Sequence, residues 1–327
     1  MIRCQTPPLT QPTSLTSRNI SPISIRHSGF LAILFGANLL AFGKTTPPEP
    51  AKSVKVAAVQ CSAEQGSISA NSRKATALVR SAARSGAKII VLPELCLTGY
   101  LSQDGKTNWH LPGHPIEPEY LGRNPSPIAQ SVPGPLTRHF CRLAKELGIY
   151  LTIPFIEVDA TQPQPRYFNT ICLADPHGKL VAHYRKIEPW PHAEKSWATP
   201  GNRGLQTFDT EYGRVGLAVC FDIHHVVQRY RERHLWALLY SVAWADSDYP
   251  AEWFYHGLPD KVRTQLHHHV VAANWSVDHP QKWRGFGFSE VISKEGKVLA
   301  AAKSVFGSEI VFADLPVAKS SIKRRPR

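Results

Sequence analysis

Cysteine is scarce. Six occur in 327 residues (Cys4, Cys61, Cys96, Cys141, Cys172 and Cys220), with no Cys-x-x-Cys pair and no spacing suited to zinc. A chain this long can bury a sizeable core without staples, so no disulfide framework is expected, and most of the thiols read as small buried hydrophobes. Long apolar runs are also missing, and the one from Phe30 to Phe42 is too short to span a bilayer. No Gly-x-Ser-x-Gly elbow presents a serine nucleophile. Gly285-Phe286-Gly287 lacks the third glycine and the strand–helix setting of a phosphate loop. His267-His268-His269, with His224, His225 and His256 elsewhere, raises the question of a metal. Consecutive helical residues point about 100° apart, so three adjacent imidazoles cannot face one ion. The run reads as polar surface or local hydrogen bonding, and no metal or cofactor is expected.

Charge of one sign is in excess. Lys and Arg number 38 against 25 Asp and Glu, a net +13 that at first suggests a polyanionic partner. Its distribution argues otherwise. Residues 1–50 carry +3 and residues 319–327 carry +5, which leaves only +5 dispersed over 51–318. No basic groove for nucleic acid is indicated.

The first fifty residues do not look like fold. Seven prolines interrupt them, and the 30–42 run, preceded by Arg26 and His27, ends near a small-x-small site at Ala41-Phe42-Gly43. That layout is a signal peptide's, so residues 1–50 are expected to be a signal peptide or disordered leader and the protein to be exported. A mis-called start on a cytoplasmic protein is the alternative. The tail 319–327 reads as a basic, disordered end. No repeat or low-complexity linker divides 51–318, which is taken as one domain.

Within it, short apolar runs alternate with amphipathic ones. Strands are expected at 54–60, 88–92, 149–158, 169–174, 180–184, 205–208, 214–219, 236–242 and 270–274, and a late hairpin at 286–292 and 297–301. Helices are expected over 71–85, around Leu136–Leu147, over about 223–234, and around Val262, Leu266 and His269. This is α/β order, in which ligand sites collect at the carboxyl ends of strands.

Three reactive side chains stand at such ends: Glu94 after KIIVLP, Lys186 after KLVAHYR and Cys220 after RVGLAV. Singly, each has a structural explanation. Together they suit acyl transfer through a thiol. A free thiol is mostly protonated at neutral pH and needs a base, which Glu94 can supply. A helix after Cys220 would place the sulfur near a positive helix end that favours thiolate. Lys186 and the backbone N–H of Phe221 could hold an oxyanion.

The ordered segments VAAVQCS (56–62), IIVLPELCLTGY (89–100), HYRKIEPW (183–190), GRVGLAVCFDI (213–223), SVAW (241–244) and VVAANWS (270–276) identify the chain as similar to the carbon–nitrogen hydrolase (nitrilase) superfamily. The resemblance spans about residues 54–310. It implies a four-layer α-β-β-α sandwich with two mixed sheets, a Glu94–Lys186–Cys220 triad, no cofactor, and pairing into homodimers or larger homo-oligomers. It further implies a second glutamate after the lysine that orients it, a place Glu194 fits and Glu188 rivals. Tyr100, Trp190 and Trp244 would lie near the substrate. Members often carry a Pro-Glu soon after the nucleophile, and CFDIHHVVQRY lacks it. Cys-Phe-Asp-Ile resembles the vanin/biotinidase branch, whose members cleave secondary amides. The expected partner is a small amide, with a nitrile, an N-carbamoyl compound, acyl transfer to an amine, or non-catalytic binding as alternatives.

Overall fold

Alternation along the first strand decides the architecture. In β1 (Ser53–Gln60), Val56 and Ala58 join one buried cluster while Ala57 and Val59 join another, as the two-residue period of a strand requires. Both faces of this strand are therefore covered, and a one-residue slip would exchange them. The computed structural model describes residues 52–64, 66–101, 124–191, 194–244, 253–276 and 287–318. Met1–Glu49 and Pro50–Arg327 are separate units, and every described residue belongs to the second. The expected leader and basic tail lie outside the described residues.

β1 pairs in parallel with β2 (Ile89–Val91), which pairs in parallel with β3 (Tyr150–Asp159). β4 (Arg166–Ala174) and β5 (Leu180–Arg185) continue this sheet antiparallel. The second sheet has the same plan, with a parallel trio of β7 (Arg214–Val219), β8 (Ala237–Ser241) and β9 (His269–Ala273). β6 (Thr207–Asp209) flanks the trio on one side, and β10 (Glu290–Ile292) and β11 (Val298–Ala301) on the other. The last strand, β12 (Glu309–Pro316), returns to the first sheet and pairs antiparallel along the whole of β1.

Three apolar layers separate four structural ones. On the outer face of the first sheet, Ala57, Val59 and Ile90 pack under α1 (Ile68–Arg84) and α2 (Pro135–Leu147), which present Ala75, Val79 and Ala82, and Phe140 and Leu143. These spacings of three and four put the apolar groups on one helical face. Between the sheets, Val56, Ala58 and Val91 meet Val215, Leu217, Leu239 and Val271. Beyond the second sheet, Leu238, Tyr240, Val270 and Ala272 pack against Ile223, Tyr230, Leu258, Val262 and Leu266. The architecture is an α-β-β-α sandwich, as the resemblance implied. Among the described residues no helix is long and apolar enough to cross a membrane.

The outer layer of the second sheet departs from the sequence reading. The helix expected over 223–234 is a four-residue α3 (Asp222–His225) followed by a 3-10 run, Val227–Arg233. From this run Tyr230 reaches inward and its hydroxyl donates to Leu217 O at 2.6 Å. The helix expected to include His269 is α4 (Leu258–Lys261) with π-type turns on either side, and it ends at His267, which has φ 56°. His268 and His269 are buried rather than on the surface, and His269 opens β9 with its Nδ1 accepting from Lys294 N at 3.2 Å, so of the two expectations for the run local hydrogen bonding holds at His269. The late hairpin begins at Glu290, and position 286 lies outside the described residues. β12 has no counterpart among the strands expected from sequence.

Candidate active site

Glu94, Lys186 and Cys220 leave β2, β5 and β7 at the same edge of the sandwich. Glu94 is held largely by the opposite sheet. Its N–H donates to Val242 O at 3.3 Å, its C=O accepts from Trp275 Nε1 at 2.7 Å, and its Oε2 accepts from Ala243 N at 2.8 Å. Ser241 Oγ donates to Leu92 O at 2.7 Å and closes the same seam. The turn that makes this possible carries Leu95 at φ 51°, a left-handed conformation that a leucine seldom adopts.

Lys186 is placed by its strand and by one close approach. Its neighbour Arg185 is clamped by Glu157 at 2.5 Å and Asp159 at 3.0 Å and lies 3.8 Å over the Phe168 ring. Gly201 N donates to Lys186 O at 2.8 Å. A Cβ at Gly201 would overlap the Arg185 carbonyl oxygen and lie 2.6 Å from its carbon and 2.8 Å from Lys186 O, so only glycine fits here. Lys186 Nζ then donates to Glu94 Oε1 at 2.8 Å and Glu194 Oε2 at 2.5 Å. Glu194 sits in a 3-10 turn (Glu194–Ser196), where its Oε2 also accepts from Trp190 N at 2.6 Å. The structure thus puts Glu194, not Glu188, beside the lysine. Glu188 contributes its N–H to Asp222 Oδ1 at 3.0 Å, and its own Oε2 is buried without a partner.

Asn169, at the heart of β4, completes the arrangement. Its Nδ2 donates to Glu94 Oε1 at 2.7 Å and also to Glu194 Oε1. Glu94, Lys186, Glu194 and Asn169 therefore form a closed ring of side chains, each nearly or wholly removed from solvent. The Oδ1 of Asn169 is left buried and unpaired, a cost of roughly 1–3 kcal/mol for such an acceptor.

Cys220 follows β7 at φ 38°, a second strained turn. Its N–H donates to Ser241 O at 2.9 Å, and its C=O accepts from Tyr240 OH at 2.7 Å. Asp222 braces the turn from beneath, accepting from Val219 N at 3.1 Å and Tyr184 OH at 2.7 Å. Among the described hydrogen bonds none uses the Phe221 N–H. The helix expected to lower the thiol pKa is only four residues long and supplies little dipole. Burial instead pushes the Cys220 thiol well up; Glu94 and Glu194 add to this, while Lys186 and the Ala243 amide oppose it. Together these influences favour the protonated thiol over the thiolate.

The remaining electrostatics fit that state. Burial raises Glu94, against the pull of Lys186, with Glu194 raising it further, which makes it a stronger base than an exposed carboxylate. Burial would lower Lys186, but Glu194 and Glu94 outweigh it and keep the ammonium charged. Burial also lifts Asp222 to about 7, against the stabilising pull of Lys186. Among the described residues no three His, Cys, Asp or Glu side chains are gathered as a metal site would need.

Of the aromatic residues expected near a substrate, Tyr100 is buried with its hydroxyl bonded to Glu194. Trp190 touches the site through its backbone. Trp244 follows Ala243 and stacks on Trp253, with ring centroids 4.4 Å apart, and His224 lies 5.8 Å away. Asn169, Asp222, Ala243 and Gly201 were not singled out for the site from sequence. The one signal for Asn169 was a lone amide opening the apolar run NTICLA.

The carbon–nitrogen hydrolase family pattern matches residues 55–323. The chain is 32% identical over 264 residues to omega-amidase NIT2 of Homo sapiens, covering 76% of this chain and 84% of that one. It is 28% identical over 258 residues to omega-amidase NIT2-B of Xenopus laevis, covering 75% and 82%. Among solved structures it resembles Nit3 of Saccharomyces cerevisiae, a member of branch 10 of the nitrilase superfamily, with TM-score 0.64, 23% identity and coverage of 84% and 97%. It also resembles a variant of an amidase from Nesterenkonia sp. AN1, solved with the acetamide moiety of fluoroacetamide added covalently at the active-site cysteine. That similarity has TM-score 0.63, 20% identity and coverage of 83% and 93%.

Proposed function

The chain belongs to the carbon–nitrogen hydrolase (nitrilase) superfamily and is a carbon–nitrogen hydrolase, and from that premise we propose that it cleaves small amides with Cys220 as nucleophile, in a Glu94–Lys186–Cys220 triad assisted by Glu194. The observation that carries this reading is the solvent-free ring in which Lys186 Nζ bridges Glu94 and Glu194 beside the Cys220 turn.

Cys220 Sγ attacks the carbonyl carbon while Glu94 takes the thiol proton. Lys186 and the Phe221 N–H stabilise the oxyanion; losing one such donor typically costs ~10²–10³ in turnover. The tetrahedral intermediate collapses, the C–N bond breaks, and the amine leaves with the proton returned by Glu94. Water, deprotonated by Glu94, then attacks the thioester carbon, the C–S bond breaks, and Glu94 returns the proton to the Cys220 sulfur as the acid leaves. Glu194 holds the ammonium in place and stays outside the proton transfer.

The omega-amidase relatives favour an amide over a nitrile or N-carbamoyl substrate, and the Cys-Phe-Asp-Ile run keeps secondary amides in view. The test is a panel of primary amides, secondary amides, nitriles and N-carbamoyl compounds, with mass spectrometry of Cys220 during turnover. An acyl adduct on Cys220 with amide substrates is expected. Turnover with no adduct there, or of nitriles alone, refutes the reading. Added amine acceptors distinguish hydrolysis from acyl transfer in the same assay. We also propose export through the leader and homo-oligomeric assembly, checked by N-terminal sequencing of secreted protein and by light scattering.

A further inference from the structure

Two carboxylates share one ammonium in this site, and something must decide which carboxylate oxygen faces the thiol. The four oxygens are not equivalent. Glu94 Oε1 accepts from both Lys186 Nζ at 2.8 Å and Asn169 Nδ2 at 2.7 Å. Glu94 Oε2 accepts only from Ala243 N at 2.8 Å, among the described hydrogen bonds. The same amide also favours the thiolate of Cys220, so the N–H that holds Oε2 acts on the thiol as well. On the other carboxylate, Oε2 takes Lys186 and Trp190 N, and Oε1 takes Asn169.

We infer that Asn169 is a positioning residue that, together with Lys186, pins Glu94 Oε1 and so leaves Oε2 as the atom that accepts the Cys220 proton; the inference rests on the triad reading above. The orientation of the Asn169 amide supports it. Turned the other way, the amide would set its oxygen against two carboxylate oxygens. As placed, both N–H groups are used, one on each glutamate, and Oδ1 is left buried and bare. A buried unpaired acceptor is an unusual feature to find in a strand interior, and here it accompanies a donor that bridges the base and the second glutamate.

Asn169 also bears on the ionisation of Glu94. Glu94 is faced by Lys186 at the end of β5, Glu194 in the 3-10 turn, Cys220 after β7, and the phenols of Tyr100 and Tyr240. Of these only Lys186 is cationic. The Asn169 hydrogen bond also favours the ionised base, together with the one from the Ala243 amide, against burial and Glu194. Without it, Glu94 must protonate at higher pH.

The experiment compares wild type with Asn169→Leu, which removes both donors at similar volume, Asn169→Ser, which can donate to one glutamate only, and Asn169→Asp, which adds a third carboxylate. For each, kcat and KM are followed against pH on the best amide, and the rate of Cys220 alkylation by iodoacetamide is followed against pH. Activity is normalised to alkylatable Cys220, so that loss of folded protein is separated from loss of rate. The expected result is a fall in kcat of roughly tenfold or more with KM little changed. The acid limbs of turnover and alkylation should both move to higher pH, least for Ser and most for Asp. Unmoved acid limbs in all three variants, or a loss carried by KM alone, overturn the inference. Because alkylation needs no substrate, it still reads the inference if the wild type turns over no amide, and that second outcome counts against the amidase reading alone.

Discussion

Replacing Gly201 by alanine tests whether Lys186 is set by a backbone contact far from the reacting atoms. The added Cβ would sit 2.6 Å from the Arg185 carbonyl carbon and 2.8 Å from Lys186 O. Ordinary carbon–carbon contact begins near about 3.5 Å, so the two segments must separate by roughly 1 Å. Both obstructing groups are backbone, and Arg185 is clamped by Glu157 and Asp159, so no flexible side-chain end can absorb the shift. The displacement passes to Lys186, whose Nζ holds Glu94 at 2.8 Å. A misplacement of about 1 Å in such a site costs ~10²-fold in rate, and overpacking costs about 1–3 kcal/mol in stability. Gly204 is the control. It has φ +66° with nothing within 4 Å of where a Cβ would stand, so Gly204→Ala should lower stability by about 1 kcal/mol and leave turnover alone. The assay is kcat/KM on a small amide, with thermal melting of both variants. If Gly201→Ala keeps kcat/KM within about twofold of wild type while its melting temperature is unchanged, the account of Lys186 placement is wrong.

Cys220→Ala should abolish turnover while the melting curve stays near that of wild type, since the backbone bonds of Cys220 to Ser241 and Tyr240 do not involve sulfur. Retained turnover would remove the mechanism. Glu157→Gln tests the scaffold beneath Lys186. Burial would raise the Glu157 pKa, but hydrogen bonds from His183, Arg185 and Thr170 outweigh it and hold it below the usual carboxylate range. A depressed folded pKa gives stability that is present above the unfolded value of about 4.3 and is lost as pH falls through the folded one. The variant should therefore melt earlier at neutral pH, by an amount corresponding to roughly 3 kcal/mol, and show a weaker acid dependence below about pH 4. Parallel melting-temperature profiles for the two proteins would contradict this.

The parts of the fold carried by local periodicity were legible in sequence. Short apolar runs gave the inner strands, and the three- and four-residue spacing gave α1 and α2. What escaped depends on distant partners. β12 reads EIVFADLP, with exposed and half-buried residues over much of its length, and its strand character comes from pairing with β1 some 250 residues away. The 223–234 segment has the period of a helix, but over Val227–Arg233 it winds as a 3-10 run, from which Tyr230 reaches inward to Leu217 O. The chemistry of the site divides in the same way. Glu94, Lys186 and Cys220 could be found because each stands where an apolar strand stops. Asn169 lies inside a strand, and its significance comes from two glutamates that approach from other elements. Gly201 is silent in sequence, since only the neighbouring backbone shows why a Cβ is excluded.

The protonated thiol changes what the site must accomplish. A nucleophile held as thiolate would need only a cation beside it, and Lys186 alone would serve. Here burial and two carboxylates raise Cys220, so in the proposed mechanism the thiolate is made as the carbonyl is attacked. That requires a base whose own affinity for protons is raised, and the same burial supplies it at Glu94. Two glutamates share the one ammonium of Lys186 in this ring. A neutral amide adds no charge until attack, when the growing oxyanion and the proton moving onto Glu94 offset each other beside Lys186. A carboxylate placed at the reacting carbon would be repelled by the same ring. The proposed mechanism therefore suits a small neutral amide at the reacting end, with any charge on the substrate placed farther out.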